Sequence, residues 1–566
     1  MSKFTDLIKS SPLLAAAFFL CFAVYSNSLG NGFQRDDLPH IVNNAAIREL
    51  SSFPRLFSRD YFQLNGAVAY RPVVVALRML EYKAFGLDAR LWRLFDLLLH
   101  AVNAALLCWV ILAVSGLPGA AAAAGVLFLL HPAQTEALNY VSNGQCDILC
   151  LFFLLVSFLA YLNEKRFFSL AAFSLALLSK EMALAFPLLL LVYAYYYGDL
   201  RKDWKTPALG AGLSLVFLLW RLFYFKAGPG FIDKVPSQGA FGFTLAGAAA
   251  AVVKFPVLVV YYLKLLVWPA ALSVEIDRIL PAAGLFSGPH IALAWLFLAA
   301  LAGAVYFYAK NKIYAFSLIS FILALLPVSG LVPLTSVLQE HFVYIPSVFF
   351  CLLAGLGFAK AWSRAAWRKI SVPVLALLLL ASAGRIWARN ADWRTPLTLA
   401  EADVRAFPGS SSALAGLASA KSAAGDYAGA LDLCLKAEAA GPPDGEVYFL
   451  AAEIYLRSGA REKALASARL GLEMDLNSPD ARVNIARIYA RAGMPDEALA
   501  AAREAAALFP YFEPAYLTLG EILLLEKRPA EAERMFAEAL RLNSRSAAAK
   551  RLADLRRPVP YSGKTK

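Results

Sequence analysis

Two adjacent carboxylates, Asp36 and Asp37, directly follow the first apolar run of the sequence. When two carboxylates lie close together, their mutual repulsion raises the pKa of one of them toward the range in which a carboxylate can act as a general base. The pair could instead bind a metal ion, or it could be part of a solvated loop. We take Asp36 as the first candidate for a catalytic base and Asp37 as its partner or replacement.

Several cationic side chains stand at or near the ends of other apolar runs. Four of them could bind a phosphate group: Arg71, Lys180, Arg221 and His341. Guanidinium and ammonium groups bind phosphates through charge-assisted hydrogen bonds. A salt bridge would explain Arg71 equally well, and snorkelling of the side chain toward the membrane surface would explain Lys180. Charges in or near membrane segments are costly, however, and usually face a protein interior or a cavity.

Other polar groups between the apolar runs could shape a pocket: His131, Glu136, Glu181, Glu340 and Tyr344. His131 and Glu136 are five residues apart and could meet at the start of a helix, where they could bind a metal or exchange protons. A histidine near a membrane interface is also often only a helix-end residue. These groups are compatible with a divalent metal ion, but the pattern requires no cofactor.

The elements that must position these residues are apolar segments of the first 390 residues. The chain has 566 residues, of which 60% are hydrophobic, and a bilayer-spanning helix needs about 20 mostly apolar residues. We predict a polytopic, all-α membrane domain over 1–390 with about 11 or 12 spans. The candidate spans are 11–29, 94–114, 118–131, 146–162, 167–180, 184–198, 206–225, 250–268, 290–309, 313–328, 342–359 and 370–387.

The net charge of +13 would suggest a nucleic-acid partner in a soluble protein. Here the basic residues cluster in short loops, so the positive-inside rule explains them and no nucleic-acid partner is expected. With those loops in the cytoplasm, the candidate residues except Arg221 lie near the outer membrane face. We expect 250–268 not to cross the membrane, which places the chain after residue 390 outside; a full crossing would place it in the cytoplasm. The predicted outside loops are 30–90, 131–146, 226–289 and 329–341.

After about residue 390 the sequence becomes alanine-rich and repeats with a period of 34 residues. Four alanines align on this period, and three glycines align with a lysine in the fourth place. Small residues let paired helices approach closely, and glycine ends a helix between hairpins, so the pattern is typical of tetratricopeptide (TPR) repeats. The aligned residues are Ala430, Ala464, Ala498 and Ala532, and Gly425, Gly459, Gly493 and Lys527.

We predict four TPR repeats over 411–546, preceded by a linker or degenerate half repeat over 391–410 and followed by a C-terminal tail over 547–566. Four such repeats form a short α-solenoid with a concave groove. A groove of this kind usually binds a peptide, which here would be an acceptor polypeptide. The array could also be a structural spacer without a ligand.

The ordered set of motifs resembles the transmembrane and TPR-containing protein O-mannosyltransferases, which belong to the GT-C superfamily of polytopic glycosyltransferases. No single motif is specific, but the ordered set together with the repeats is. The matching residues are Phe33 with Asp36-Asp37, Tyr70-Arg71-Pro72, His100 with Asn103, His131-Pro132 with Thr135-Glu136, Lys180-Glu181, and Glu340 with Tyr344-Ile345-Pro346.

The resemblance implies a membrane domain of the GT-C type and a polyprenyl-phosphate-linked sugar donor, with mannose as the typical sugar. It implies transfer to Ser or Thr hydroxyls of secreted proteins at the exoplasmic face. Asp36 would take the proton of the acceptor, and direct attack would invert the anomeric carbon. Lys180 is the first candidate to bind the leaving phosphate, ahead of Arg71, Arg221 and His341.

Two positions depart from the family pattern. His341 stands where the family usually has an arginine, and Gln145 stands where an arginine is common. Both departures affect the expected donor sugar and phosphate binding. The alanine-rich composition and short loops are typical of bacterial proteins, which indicates undecaprenyl phosphate as the lipid and the inner membrane as the location.

Three other functions remain open from the sequence. A GT-C oligosaccharyltransferase, or an enzyme that modifies lipid A or a cell-wall polymer, would keep the carboxylate site and change donor and acceptor. A non-catalytic scaffold would use the repeats to recruit partners, but a single anchor helix would suffice for it. A transporter should carry its charges in mid-span, ideally in two similar halves, and the sequence shows no such symmetry.

Overall fold

The computed structural model of the protein describes residues 11–58, 69–198, 200–220, 245–274, 287–308, 311–331, 338–441, 445–476, 478–510, 512–542 and 546–556. Within these ranges the regular elements are helices and no β-strand occurs, which confirms the all-α prediction. The chain forms two compact units that divide between Ala406 and Phe407.

The N-terminal unit contains sixteen α-helices in its described residues, joined by turns and short 3₁₀ segments. They are α1 (Ser11–Tyr25), α2 (Pro72–Phe85), α3 (Ala89–Ser115), α4 (Pro118–Leu129), α5 (Thr135–Asn139), α6 (Val141–Leu162), α7 (Arg166–Leu177), α8 (Phe186–Tyr197), α9 (Leu200–Asp203), α10 (Lys205–Leu219), α11 (Leu245–Val267), α12 (Gly288–Tyr308), α13 (Lys312–Ala324), α14 (Ser347–Trp362), α15 (Ala365–Asp392) and α16 (Pro396–Ala406).

Each of the twelve predicted apolar segments corresponds to an apolar helix in the described part of the chain. Among the residues that the structure describes, four helices are long and apolar enough to cross a membrane: α3, α6, residues 248–267 of α11, and α15. Residues 248–267 of α11 correspond to the predicted segment 250–268, and the charge pattern left open whether this segment crosses the membrane. The other eight are shorter. A helix of twelve residues rises about 18 Å, less than the roughly 30 Å hydrocarbon core, so the short helices need their neighbours to complete the membrane unit.

Close helix contacts in this unit depend on small residues. A Cβ atom at Gly144, near the start of α6, would lie 1.8 Å from the carbonyl oxygen of Ala137 in α5. A Cβ atom at Gly355 in α14 would lie 2.5 Å from the carbonyl oxygen of Ala120 in α4. Only glycine permits these approaches. The contact at Gly144 is functionally relevant because it fixes the start of α6, where several candidate site residues lie.

The C-terminal unit is a series of helical hairpins followed by one further helix. Its elements are α17 (Ser411–Ala423), α18 (Tyr427–Ala440), α19 (Gly445–Arg457), α20 (Arg461–Met474), α21 (Pro479–Arg491), α22 (Pro495–Leu508), α23 (Glu513–Leu525), α24 (Pro529–Leu542) and α25 (Ala548–Arg556). The four pairs from α17 to α24 form the predicted TPR α-solenoid. Residues 557–566 of the predicted tail lie outside the described residues.

The repeat period has a direct structural cause. Gly425, Gly459 and Gly493 have φ angles of +88°, +78° and +71°, and Lys527 has +57° at the same place in the fourth repeat. Glycine adopts this left-handed conformation without steric cost, which explains its recurrence between the two helices of a pair. The four periodic alanines are fully buried between paired helices, as their small size predicted.

Candidate functional site

Polar side chains from separate segments meet at one end of the N-terminal unit. This end contains α5, the start of α6 and the end of α15. It also contains the loop after α1, the turn before α8 and the 3₁₀ segment Glu340–Val343. From here α6 runs to a turn at 163–165 that carries Lys165, with Arg166 at the start of α7, and α14 carries Lys360 near its end and runs to a turn that carries Arg364. The polar end is therefore opposite to these two basic turns.

The two adjacent carboxylates have different surroundings. Asp37 is fully buried, and its Oδ1 and Oδ2 accept hydrogen bonds from the backbone amides of Ser142 (2.7 Å) and Gln34 (3.1 Å). Burial raises the pKa of Asp37, although these amide hydrogen bonds lower it. The carboxylate of Asp37 thus fixes the loop after α1 to the start of α6.

Asp36 is exposed. Its Oδ2 accepts one long hydrogen bond of 3.4 Å from the side-chain amide of Asn143, and its backbone amide donates to the hydroxyl of Tyr140 at 3.3 Å. The preceding residue, Arg35, has a φ of +54°, a left-handed conformation that is costly for a residue with a Cβ. Because its side chain is exposed and that of Asp37 is buried, Asp36 is the carboxylate of the pair that a substrate can reach.

Two ion pairs hold the cationic candidates Arg71 and Lys180. Arg71 donates to Oε2 of Glu181 through Nη2 at 3.0 Å and through Nε at 3.3 Å. Lys180 Nζ lies 2.5 Å from Oδ2 of Asp147, and both side chains are almost fully buried. Lys180 also faces the ring of Phe342, 5.2 Å from its centroid. Neither cation is isolated, and each is fixed by a carboxylate.

His341 and Glu136 form a third buried pair. His341 Nδ1 lies 2.8 Å from Oε1 of Glu136, and the backbone amide of His341 donates to Oε2 at 3.1 Å. Burial raises the pKa of Glu136 to about 8, although the charge of Arg389 lowers it. Burial, together with the charge of Lys180, lowers the pKa of His341 to about 3. The imidazole is consequently neutral near pH 7.

These pairs belong to one site. The start of α6 contacts three of these groups: Asn143 donates to Asp36, Cys146 Sγ lies 3.5 Å from Nη1 of Arg71, and Asp147 accepts from Lys180. The charges of Asp36, Arg71, Asp147 and Lys180 also affect the protonation of His341. Charges of Arg389, Arg35 and Lys180 act in the same way on Glu136. The exposed carboxylate, the two fixed cations and the neutral histidine are thus neighbours, although they come from four distant parts of the sequence.

Similarity to known proteins agrees with the motif pattern. No family model matches the sequence. The chain is 24% identical over 588 residues to protein O-mannosyl-transferase TMTC3 of Mus musculus, which covers 93% of this chain and 63% of the relative. It is also 24% identical over 403 residues to protein O-mannosyl-transferase F38B6.6 of Caenorhabditis elegans, which covers 68% of this chain and 56% of the relative.

The resemblance to the transmembrane and TPR-containing protein O-mannosyltransferases is confirmed. The chain spans less than two thirds of the length of these curated relatives. Among solved structures, the TPR protein TTC0263 of Thermus thermophilus is 23% identical, with coverage of 33% of this chain and 95% of that chain and a TM-score of 0.27.

The two positions that depart from the pattern of the O-mannosyltransferases lie in different networks. His341 is part of the site, as described. Gln145 lies in a buried cluster next to it, where its Oε1 accepts from Arg78 Nε at 3.1 Å and its Nε2 donates to Oε2 of Glu81 at 2.8 Å. The cluster therefore contains a guanidinium beside position 145, supplied by Arg78.

The remaining predicted residues lie at the edge of the site or away from it. His131 Nε2 contacts the carbonyl oxygen of Leu266 at 2.8 Å, so it joins the start of α5 to the end of α11. Tyr344 is fully buried, and its hydroxyl lies 2.7 Å from His100 Nδ1. Arg221 lies outside the described residues. In the described part of the chain, no three His, Cys, Asp or Glu side chains are placed to hold a metal ion.

Two site residues were missed by the sequence argument. Asp147 was not among the candidates, although a carboxylate inside an apolar helix is a signal of function or pairing. Arg389 near the end of α15 is fully buried, and none of its side-chain nitrogens has a hydrogen-bond partner among the described residues. Its nearest carboxylates are Asp392 at 3.6 Å and Glu340 at 3.8 Å. In the sequence, Arg389 is a basic residue at the end of an apolar segment, which is typical of a residue at the membrane interface. No sequence pattern therefore indicated that Arg389 belongs to the site.

The end of α15 is also joined to the site by side-chain amides. Asn139 donates to Oδ1 of Asn390 at 2.7 Å, and Asn31 donates to Oδ1 of Asn139 at 2.9 Å. Gln34 donates to the carbonyl oxygen of Trp393 at 2.5 Å. These contacts hold the loop that carries Asp36 against α5 and α15.

Proposed function

We propose that the protein is a membrane glycosyltransferase that transfers a sugar, with mannose as the first candidate, from a polyprenyl-phosphate donor to Ser or Thr hydroxyls of polypeptides. Two observations support this. The first is the similarity to proteins named protein O-mannosyl-transferases over most of the chain. The second is the placement of one exposed carboxylate, Asp36, beside a buried group of cations. This second observation carries the proposal, because a reachable carboxylate and fixed cations at one end of the unit are the groups that transfer from a phosphate donor requires.

The difference between Asp36 and Asp37 assigns the base. Both oxygens of Asp37 are occupied by backbone amides in a fully buried position, so Asp37 cannot accept a substrate proton without releasing the start of α6. Asp36 is exposed and accepts one long hydrogen bond. A general base must come within hydrogen-bond distance of the proton that it removes, and Asp36 meets this condition.

In the proposed reaction, the acceptor oxygen attacks the anomeric carbon of the donor sugar. The new carbon–oxygen bond forms as the bond between that carbon and the phosphate oxygen breaks, and the bonding electrons leave with the polyprenyl phosphate. Asp36 takes the proton of the acceptor hydroxyl. Attack from the face opposite to the phosphate inverts the anomeric configuration.

The leaving phosphate needs positive charge, and Lys180 is the first group to supply it. Asp147 accepts one of the three N–H donors of the Lys180 ammonium, so the others can donate to a phosphate oxygen. Arg71, which is paired with Glu181, adds a second positive charge. The paired carboxylates Asp147 and Glu181 fix both cations before the donor binds, which reduces the reorganisation that binding requires.

The same arrangement supports a proposal for the membrane face. The polar end lies opposite to the basic turns, and under the positive-inside rule this favours the exoplasmic face for the site. Helix α15 returns the chain to this end, where Asn390 contacts Asn139. We propose a bacterial inner-membrane location with undecaprenyl phosphate as the lipid, and an acceptor polypeptide bound by the TPR groove.

The test uses the full chain in lipid nanodiscs with radiolabelled polyprenyl-phosphate-mannose and a mixture of secreted host proteins. Wild type is compared with Asp36→Asn and with a matched control, Asp203→Asn, whose half-exposed carboxylate lies near Arg166 at the basic end. We expect label in protein with wild type and Asp203→Asn, and little with Asp36→Asn. Equal labelling by Asp36→Asn contradicts the assigned base. Consumption of donor without labelled protein contradicts the proposed acceptor, and an intact donor contradicts mannose transfer.

A further inference from the structure

The Glu136–His341 pair has two arrangements of protons that fit the same geometry. In the first, Glu136 is protonated, its O–H donates to His341 Nδ1 across the 2.8 Å contact, and the imidazole carries its proton on Nε2. In the second, Glu136 is ionised and accepts from Nδ1–H, which leaves Nε2 with a lone pair. The backbone amide of His341 donates to the other carboxyl oxygen in both cases.

The two arrangements present opposite chemistry to a substrate. With Glu136 protonated, Nε2–H can donate to a phosphate oxygen. With Glu136 ionised, the Nε2 lone pair faces that oxygen and repels it. A neutral histidine has only one N–H, so the hydrogen bond at Nδ1 decides which form is present. No described residue forms a hydrogen bond with Nε2 of His341.

We propose that His341 binds the phosphate of the donor through Nε2–H, that Glu136 selects this tautomer by donating its proton to Nδ1, and that Arg389 is a positioning residue that limits the protonation of Glu136. This inference rests on the proposed function, because its ligand is the phosphodiester of the donor. It assigns to Glu136 the control of a hydrogen bond rather than the shaping of a pocket.

The electrostatic surroundings favour the donating form at neutral pH. Glu136 is fully buried, and burial raises its pKa to about 8 against the opposing charge of Arg389. Burial keeps His341 neutral, so the carboxyl proton stays on Glu136. The charged and titratable groups that face Glu136 are Arg35, Lys180, Tyr261, Glu340, His341 and Arg389, and those that face His341 are Asp36, Arg71, Asp147 and Lys180.

Arg389 is suited to this role by its position. Its guanidinium is fully buried near the carboxylates of Glu340 and Asp392, at 3.8 and 3.6 Å, without a hydrogen bond to either. It therefore acts on Glu136 through charge. Removing this charge makes ionisation of Glu136 harder, so the donating form persists to higher pH.

The test measures binding of polyprenyl-phosphate-mannose to the full chain in nanodiscs between pH 6 and pH 9, without an acceptor. This phosphodiester has no group that titrates in the range. For wild type we expect the affinity to fall by about tenfold from pH 7 to pH 9, because the protonated fraction of a group with a pKa of about 8 falls by that factor.

Glu136→Gln gives the decisive comparison. The Gln amide nitrogen donates to Nδ1 at every pH and its oxygen accepts from the backbone amide, so Nε2–H is fixed. We expect this variant to have the same affinity at pH 7 and at pH 9, so that the pH dependence is lost. Glu81, whose pKa burial also raises to about 8, is unchanged in this variant and serves as an internal control. A wild-type pH profile in Glu136→Gln overturns the inference.

A second variant changes the charge and leaves the pair intact. Arg389→Gln should move the fall in affinity to higher pH, whereas Arg389→Lys should keep the wild-type profile. An Arg389→Gln profile equal to wild type overturns the role of Arg389. If wild type fails to bind the donor at every pH, the proposed function fails; if it binds without pH dependence, only this inference fails.

Discussion

Lys180 and Asp147 form a 2.5 Å ion pair in which both side chains are almost fully buried. Desolvation of two charges in such a position is costly, and their mutual attraction offsets the cost only while both are present. A buried pair of this kind is therefore a poor way to gain stability. Its presence at the same end of the N-terminal unit as the exposed carboxylate Asp36, which contacts Asn143 at the start of α6, supports a functional role for the cation.

The first prediction separates the two roles of this pair. Lys180→Met leaves Asp147 as an uncompensated buried charge and should destabilise the protein by about 3–5 kcal/mol. Adding Asp147→Leu removes that charge and should restore most of the stability. Activity should stay lost in both variants, because the phosphate-binding cation is absent. Thermal unfolding and sugar transfer, measured on the same preparations, check this; transfer by the stable double variant would contradict it.

The second prediction concerns the adjacent carboxylates. Asp37→Asn keeps only one acceptor oxygen and turns an amide nitrogen toward the N–H of Ser142 or Gln34. An unsatisfied buried group costs about 1–3 kcal/mol, so the unfolding temperature should fall. Asp36→Asn should leave it unchanged and remove activity. If the two variants unfold alike, the assignment of Asp37 as a structural anchor is wrong.

The sequence predicted those parts of the fold that depend on local patterns. Apolar runs predicted the twelve apolar helices of the described residues, and the spacing of Ala430 and Gly425 with their equivalents predicted the four hairpins. It also predicted that Asp36, Lys180 and His341 lie near one membrane face, which stays a prediction. It could not show the partners, because Lys180 pairs with a residue 33 positions away and His341 with one 205 positions away. Whether Asp36 or Asp37 is buried depends on the path of the loop after α1, and no local sequence pattern predicts that path.

The third prediction tests the departure at position 341. His341→Arg supplies N–H donors at any pH, and Glu136 can ionise to pair with the guanidinium. We therefore expect this variant to bind the donor and to lose the decline in affinity above pH 7. His341→Phe fills similar space without a donor and should weaken binding at every pH. Titration of polyprenyl-phosphate-mannose at pH 7 and pH 9 distinguishes them, and weak binding by His341→Arg would contradict a phosphate-facing role for this position.

The fourth prediction concerns the repeat turns. Lys527 adopts a φ of +57° where the other three repeats have glycine. A left-handed residue with a Cβ costs roughly 1–2 kcal/mol, and the greater entropy of unfolded glycine offsets about 0.4–1 kcal/mol of the gain. Lys527→Gly should therefore stabilise the C-terminal unit slightly, by up to about 1 kcal/mol. The converse, Gly493→Lys, should destabilise it. Amide hydrogen exchange in α21–α24 measures both effects. Destabilisation by Lys527→Gly, or stabilisation by Gly493→Lys, would contradict the steric explanation.

The last prediction concerns the acceptor. If the TPR groove holds the polypeptide, its role is to raise the effective concentration of acceptor at the membrane surface and not to take part in bond making. A chain that ends at Ser410 should then lose transfer to folded secreted proteins by on the order of tenfold or more, while transfer to a short Ser/Thr peptide at saturating concentration should be nearly unchanged. Donor binding by the shortened chain is the control for an intact membrane unit. Equal losses for both acceptors, with donor binding retained, would show that the repeats act on the chemical step itself and that the groove is not simply an acceptor-binding surface.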